Sequence, residues 1–335
     1  MEKYLLGCDW GTSSCRLCLV NLESQQVIGE VSSEEGIGKM HTAWLNSGRE
    51  DSSKNRVGFF CDYLSKQIKL LSEHTAVNLH NVAIVISGMA SSTIGMSDVP
   101  YASLPFAING NDAVFKRITQ TNNFPHEIIL VSGVRSENDV MRGEETQLIG
   151  LAALLKQSGT EPSEGLFIFP GTHSKHAYIK DGRMVRFNTF MTGEIFNIIK
   201  NHSILNASLE KQDEKELAEA DIDAFKLGVK KSKEARLLNA LFTVRTNQLF
   251  EKLDKKENYF YLSGLLIGEE MSYLLKEKEL NLYLCSGSNL KDFYSMAIDE
   301  LGLTSRTTIV PGDMVDKAAL AGQLVIFQQQ QSKTK

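Results

Sequence analysis

The chain has 335 residues, a net charge of −5, 42% hydrophobic residues and 23% charged ones. That is the balance of a globular chain long enough for two domains. It argues against a general nucleic-acid binder, which would carry a basic balance or patch. No apolar run reaches membrane-spanning length, and the first one is broken by Gly7 and Asp9, unlike a signal peptide. A cytoplasmic protein is expected.

In chain order, residues 4–8 read as a buried strand and 17–22 as its partner, with a possible third at 27–30. Gly36-Ile37-Gly38 and 46–55 look like loops. Residues 59–72 have helical apolar spacing through Phe60, Tyr63, Leu64, Ile68 and Leu71. The continuous apolar run 82–86 reads as a buried parallel strand ending in the small, polar loop Ser87-Gly88-Met89-Ala90-Ser91-Ser92. Another short strand is expected at 128–131, then a helix from about Glu144. Residues 166–169, 177–179 and 184–187 read as strands, the last two joined at Lys180-Asp181-Gly182, a hairpin signal. Residues 193–275 are mostly helical in pattern, with their charges on solvated faces. A strand at 281–285, a helix at 290–301, a strand at 306–310 and an Ala- and Gly-rich helix at 314–327 follow. The tail 328–335 is expected to fray. The second half thus echoes the strand–loop–strand opening of the first.

Five cysteines are present: Cys8, Cys15, Cys18, Cys61 and Cys285. Cys15 and Cys18 form a CxxC inside a predicted strand, where the two side chains point to opposite faces. No second CxxC or His pair completes a metal set, so all are read as buried, reduced and structural.

Four segments carry candidate chemistry. In Asp9-Trp10-Gly11-Thr12-Ser13-Ser14 an aspartate at a strand end precedes a turn rich in N–H and hydroxyl donors. Such a turn can wrap phosphate, and the aspartate can hold hydrated magnesium. Pro170-Gly171-Thr172-His173-Ser174-Lys175-His176 repeats the Gly-Thr turn between strands, with Lys175 as a point charge for phosphate. His173 taken alone reads as a hydrogen-bonded structural histidine. Asp139-Val140-Met141-Arg142-Gly143-Glu144-Glu145-Thr146-Gln147 puts carboxylates and an arginine at a predicted helix start. Phosphoryl transfer to an alcohol needs such a carboxylate, although acidic residues also favour any first helical turn. Cys285-Ser286-Gly287-Ser288-Asn289 joins a strand to a helix amino terminus and could seat adenosine.

In this order the four segments resemble the actin/hexokinase/Hsp70-type ATPase superfamily. More narrowly, the chain is similar to the 2-dehydro-3-deoxygalactonokinases. The matching runs are Asp-Trp-Gly-Thr-Ser-Ser at 9–14, Asp-Val-Met-Arg-Gly-Glu-Glu-Thr-Gln-Leu at 139–148 and Pro-Gly-Thr-His-Ser-Lys at 170–175. Met-Thr-Gly-Glu at 191–194 and His-Ser-Ile-Leu at 202–205 complete them. The segment from Gly88 to Met96 and the Ser-Gly-Ser at 286–288 depart from the pattern.

The resemblance implies an α/β fold of two ribonuclease-H-like domains with an interdomain ATP cleft. Their bounds would be 1–143 and 144–312, with a helix at 313–335 returning to the first. It implies an ATP-dependent kinase acting on the 6-hydroxyl of 2-dehydro-3-deoxy-D-galactonate. Asp9 would order Mg2+. Gly11, Thr12, Ser13, Ser14, Gly171, Thr172 and Lys175 would hold phosphates, and Ser286, Gly287 and Ser288 would border adenosine. Glu145 is the favoured proton acceptor, with Glu144 and Asp139 as rivals. Arg16, Met89, Ser91, Ser92 and Arg142 are candidate contacts to the sugar acid. A kinase for the 2-dehydro-3-deoxy-D-gluconate epimer and a non-catalytic ATP-binding relative are the competing readings. Oligomeric state, a homodimer included, stays open.

Overall fold

The computed structural model describes residues 3–50, 52–160, 162–210 and 217–333. The chain divides into two compact units. One holds the residues up to Ser163, Asp181–Arg186 and the stretch from Asp316 onward; the other holds Glu164–Lys180 and Phe187–Val315. The first unit therefore keeps the helix that begins at Glu144, where the sequence expectation placed the boundary at 143/144.

The first unit begins β1 (Tyr4–Trp10), β2 (Cys15–Asn21), β3 (Val27–Ser33), α1 (Ile37–Leu45), α2 (Ser53–Thr75) and β4 (Ile84–Gly88). Five short strands follow: β5 (Ala102–Ser103), β6 (Phe106–Ala107), β7 (Phe115–Ile118), β8 (Ile128–Val131) and β9 (Val134–Arg135). Then come β10 (Val140–Met141) and α3 (Glu144–Gln157). The main sheet runs β3-β2-β1-β4-β8-β7, with β1 antiparallel to β2 and parallel to β4. All five residues of β4 and all four of β8 are buried, as expected for central parallel strands. Alternate residues of β1, namely Leu6, Cys8 and Trp10, pack with Phe60, Leu64 and Ile68 of α2 in the core.

The second unit opens with β11 (Gly165–Phe169), β12 (Ser174–Lys180) and the latter half, from Phe187, of β13 (Arg183–Phe190). It continues with α4 (Thr192–His202), α5 (Glu219–Glu234), α6 (Leu237–Leu249), α7 (Lys255–Ser272), β14 (Leu282–Leu284), α8 (Ser288–Glu300) and β15 (Thr307–Ile309). The closing helix α9 (Gly312–Lys333) groups with the first unit from Asp316 on. The sheet that holds β11 has the order β6-β13-β12-β11-β14-β15, and from β13 on it repeats the β3-β2-β1-β4-β8 order of the first sheet. In both, a hairpin leads and the fourth and fifth strands add in parallel. Each unit thus has the ribonuclease-H-like topology, and the fold is α/β. At β12–β13, Asp181 and Gly182 have φ of 52° and 67°, the pair of positive values a type I′ turn requires.

Some sequence expectations are corrected. Gly36-Ile37-Gly38 is not a loop: Gly36 caps α1, and Ile37 and Gly38 form its first turn. The helix expected from 59 begins at Ser53, where Ser52 accepts from the Asn55 N–H. The tail stays helical to Lys333, anchored where Gln329 donates to the Asn109 carbonyl; residues 334 and 335 lie outside the described residues. Asp139 is not at the helix start. It sits in the turn between β9 and β10, its carboxylate accepting from the Val140 N–H.

Candidate active site

Strand β1 delivers Asp9, and residues 11–14 cross to β2 in a tight turn closed by Gly11 N–H to Ser14 O at 2.9 Å. Thr12, Ser13 and Ser14 are exposed. The first turn of α1 backs this loop, with the Ile37 and Gly38 N–H groups donating to the Gly11 and Thr12 carbonyls at 2.9 and 3.0 Å. A Cβ on Gly36 would lie 2.3 Å from the Thr12 oxygen, so only glycine lets the helix come this close. Trp10 locks the base of the turn from beneath. It is fully buried, stacks on Tyr63 and donates its indole N–H to Glu35 O.

The acidic segment meets this loop at two glycines. Gly88, ending β4, has φ of +88°, and a Cβ there would lie 2.7 Å from Trp10 O and 3.3 Å from an Asp9 oxygen. Gly143, at the start of α3, approaches Gly88 to within 3.4 Å of where its own Cβ would be. That contact brings Glu144 close enough to repel Asp9. Burial first, and then Glu144, raise the Asp9 carboxyl to about 6, against the opposing charge of Arg16. Glu145 is 1% exposed, with its oxygens accepting from Gly143 N–H at 2.7 Å and the Thr146 hydroxyl at 2.8 Å. Burial and the neighbouring Glu144 push its carboxyl up to about 7 despite those bonds.

Helix α9 holds this arrangement in place. Gln323, itself buried, donates its amide to Cys8 O at 2.9 Å and Ser87 Oγ at 2.8 Å, pinning β1 and β4 just before Asp9 and Gly88. Gly150 and Gly322 let α3 and α9 touch backbone to backbone. None of Gly36, Gln323, Gly150 or Gly322 was picked out from sequence. A polar Gln in an Ala-rich helix was the one available signal.

The sugar-side candidates divide. Ser91 and Ser92 are buried in the short 3-10 turn Met89–Ser91 and just after it, with Ser92 donating to Met89 O at 2.7 Å. Arg142 reaches this turn, donating Nη1 to the Ser91 carbonyl and hydroxyl at 2.5 Å each, with its guanidinium 4.1 Å from the Tyr101 ring centre. Its Nε–H is buried without a hydrogen-bond partner among the described residues. Arg16 is instead paired with Glu30 at 2.6 Å and donates to Asp316 O.

In the second unit, Pro170-Gly171-Thr172-His173 forms the turn between β11 and β12, and α4 backs it as α1 backs the first loop. Glu194 N–H donates to Thr172 O at 3.1 Å, and a Cβ on Gly193 would lie 2.8 Å from Gly171 O. His173 pairs with Glu194. Lys175 belongs to β12 rather than to the turn. It is 6% exposed, and its ammonium donates to Thr189 Oγ1 at 2.8 Å. Beside the turn opens a cavity of about 390 Å³, lined by Gly171, Thr172 and residues of α4, α7 and α8, including Phe196, Tyr259 and Asn289. The Ser286-Gly287-Ser288 turn leads into α8, Gly287 capping it, and Asn289 is the residue of this segment on the cavity wall. Among the described residues, no cluster of three or more His, Cys, Asp or Glu could hold a metal ion, and no helix is long and apolar enough to cross a membrane.

A probable 2-dehydro-3-deoxygalactonokinase of Rhizobium meliloti strain 1021 is 31% identical over 334 residues, 95% of each chain. The 2-dehydro-3-deoxygalactonokinase of Escherichia coli strain K12 is 31% identical over 246 residues, 71% of this chain and 76% of that one. A crystal structure of a putative 2-dehydro-3-deoxygalactonokinase from Sinorhizobium meliloti covers 97% of this chain and 96% of its own, with 30% identity and a TM-score of 0.78. A model of the 2-keto-3-deoxy-galactonokinase family matches residues 9–325, a span that takes in both loops, the acidic segment and most of α9. The chain belongs to the 2-keto-3-deoxy-galactonokinase family.

Proposed function

We propose that this chain transfers the γ-phosphoryl group of ATP to the 6-hydroxyl of 2-dehydro-3-deoxy-D-galactonate. The observation that carries the reading is Glu145. It is a buried carboxyl raised to about 7, three residues after Arg142 and next to Glu144, the residue that repels Asp9. A general base works best with a pKa near the working pH. The Glu145 carboxylate accepts from the Gly143 N–H, the Thr146 hydroxyl and its own backbone N–H, and of its four lone pairs one remains for an incoming hydroxyl. As the hydroxyl oxygen bonds to the γ-phosphorus and ADP departs, Glu145 takes the hydroxyl proton.

The exposed donors of residues 11–14, with Gly171 and Thr172, hold the phosphates. Ser286, Gly287 and Ser288 border the adenosine near Asn289. Asp9 fits a hydrated magnesium ion, because a divalent cation beside it would relieve the repulsion from Glu144 that raises its carboxyl. When bound, that ion neutralises charge on the phosphates. Arg142 and the Ser91–Ser92 turn face the substrate carboxylate. An enzyme drawing on ATP in this way acts in the cytoplasm. The test is ADP release by the purified chain with Mg-ATP and a panel of keto-deoxy sugar acids. Release dependent on 2-dehydro-3-deoxy-D-galactonate is expected. Faster turnover of the gluconate epimer would reassign the substrate, and no acid-dependent release would sink the reading.

A further inference from the structure

A buried carboxylate in the second unit has no part in the chemistry above. Glu270, on α7, is 2% exposed and faces inward beside the half-buried Glu269. One oxygen accepts from Ser174 Oγ at 2.7 Å and His176 Nε2 at 2.9 Å; the other accepts from Tyr294 Oη at 2.7 Å and the Thr192 hydroxyl. On its other side His176 meets the Tyr273 hydroxyl at 2.6 Å, and Tyr178 donates to Tyr273. Burial alone would raise the Glu270 carboxyl. The His176 bond and charge and the two hydroxyls hold it below its ordinary value, so it stays ionised.

The four partners belong to the elements that frame the second loop. Ser174 follows the 170–173 turn directly, and its hydroxyl also lies 3.2 Å from Phe169 O at the other end of that turn. Thr192 precedes Gly193, the residue that abuts Gly171 and Thr172. Thr192 and Tyr294 both lie on the wall of the 390 Å³ cavity. Glu270 itself is behind that wall. A carboxylate desolvated this far is retained only when its bonds are complete, which makes the hub stiff rather than merely filled.

We propose that Glu270 is a positioning residue for nucleotide phosphates: through Ser174 and Thr192 it fixes the second loop in its phosphate-binding shape. This rests on the ATP reading above. Replacing one oxygen by an amide donor breaks at least one of the accepted bonds on that side and leaves the loop free to shift.

The test separates a phosphate effect from a general weakening. Binding of ADP and of adenosine to the full chain is measured by calorimetry for the wild type, Glu270→Gln and the double variant Ser174→Ala/Thr192→Val. The double variant keeps Glu270 bonded to His176 and Tyr294, and so tests the loop link even where Glu270→Gln fails to fold. Each variant is expected to weaken ADP tenfold or more while adenosine affinity stays within threefold. Equal weakening of ADP and adenosine, or ADP affinity within threefold in the double variant, overturns the positioning role and leaves the kinase reading intact. A wild type that binds neither ligand sinks both.

Discussion

At the scale of single residues, Glu145 carries two opposed pH dependences. Its folded carboxyl lies near 7, above the ordinary 4.5, so the native state keeps a proton that the unfolded chain has already released. Stability therefore falls as pH rises from about 4.5 to about 7 and levels off above. In the role proposed for Glu145, activity is expected to rise over the upper part of that window, because a proton acceptor must be empty. The rise from 4.5 to about 7 converts to at most roughly 3 kcal/mol. Glu145→Gln is expected to lower kcat by roughly 10²–10⁴-fold with the KM for ATP within about threefold. The same variant should melt higher than the wild type at pH 8 and close to it at pH 5. Near-normal kcat would move the proton acceptor to Glu144 or Asp139. An unchanged melting temperature at pH 8 would contradict the buried, raised carboxyl. The burial that favours Glu145 as the proposed proton acceptor was only partly legible in sequence. The acidic run was visible, but which of its members is buried depends on where α3 starts, and Gly143 with its φ of +114° decides that.

At the scale of elements, each loop proposed to hold phosphate is a hairpin turn backed by the amino-terminal turn of a helix, and a glycine permits the approach. Gly36 stands behind residues 12–13 and Gly193 behind 171–172. A methyl group at either position must push the loop or the helix away, and overpacking of this kind costs about 1–3 kcal/mol. Gly36→Ala and Gly193→Ala should each raise the KM for ATP by about tenfold or more while leaving the KM for the sugar acid within about twofold. Steady-state kinetics with one substrate saturating reads both. A variant that melts lower but keeps its KM for ATP would show that the contact supports the fold and not the loop. The paired arrangement was half visible beforehand. Two Gly-Thr turns between strands could be seen, but the helices behind them could not. Gly36-Ile37-Gly38 has the composition of a loop, and only its contact with Thr12 makes it the start of α1.

At the scale of the whole molecule, no disulfide or reactive thiol enters the stability of either unit. All five cysteines are free and buried. Burial pushes the Cys18 thiol to about 11 and the Cys61 thiol to about 12, and raises that of Cys285 further. Cys8 is raised by its bond to Cys15 and by burial. A thiolate is the reacting species, so the native chain should resist thiol reagents. A disulfide-exchange reagent is expected to label fewer than one thiol per native chain at pH 8 within minutes, and all five in denaturant. Its melting temperature should not move with added reductant. Rapid labelling of one or more native thiols would contradict the burial of the CxxC in β2.

The sequence by itself determined the fold class, the two echoing hairpins and the family. These follow from apolar periodicity and from contiguous motifs, which are local properties of the chain. The return of the closing helix to the first unit was already implied by the resemblance, whereas the strand order shared by the two sheets was decided by tertiary structure. So were the residues that set the geometry of the site. Gly88 against Trp10, Gln323 on Cys8 and Ser87, and Glu270 among Ser174, His176, Thr192 and Tyr294 join positions tens to hundreds of residues apart. Burial, desolvation and close approach arise only once distant segments pack. A carboxylate in sequence is only an acid; the packing around Glu145 and Glu270 makes one hold its proton to about pH 7 and keeps the other ionised.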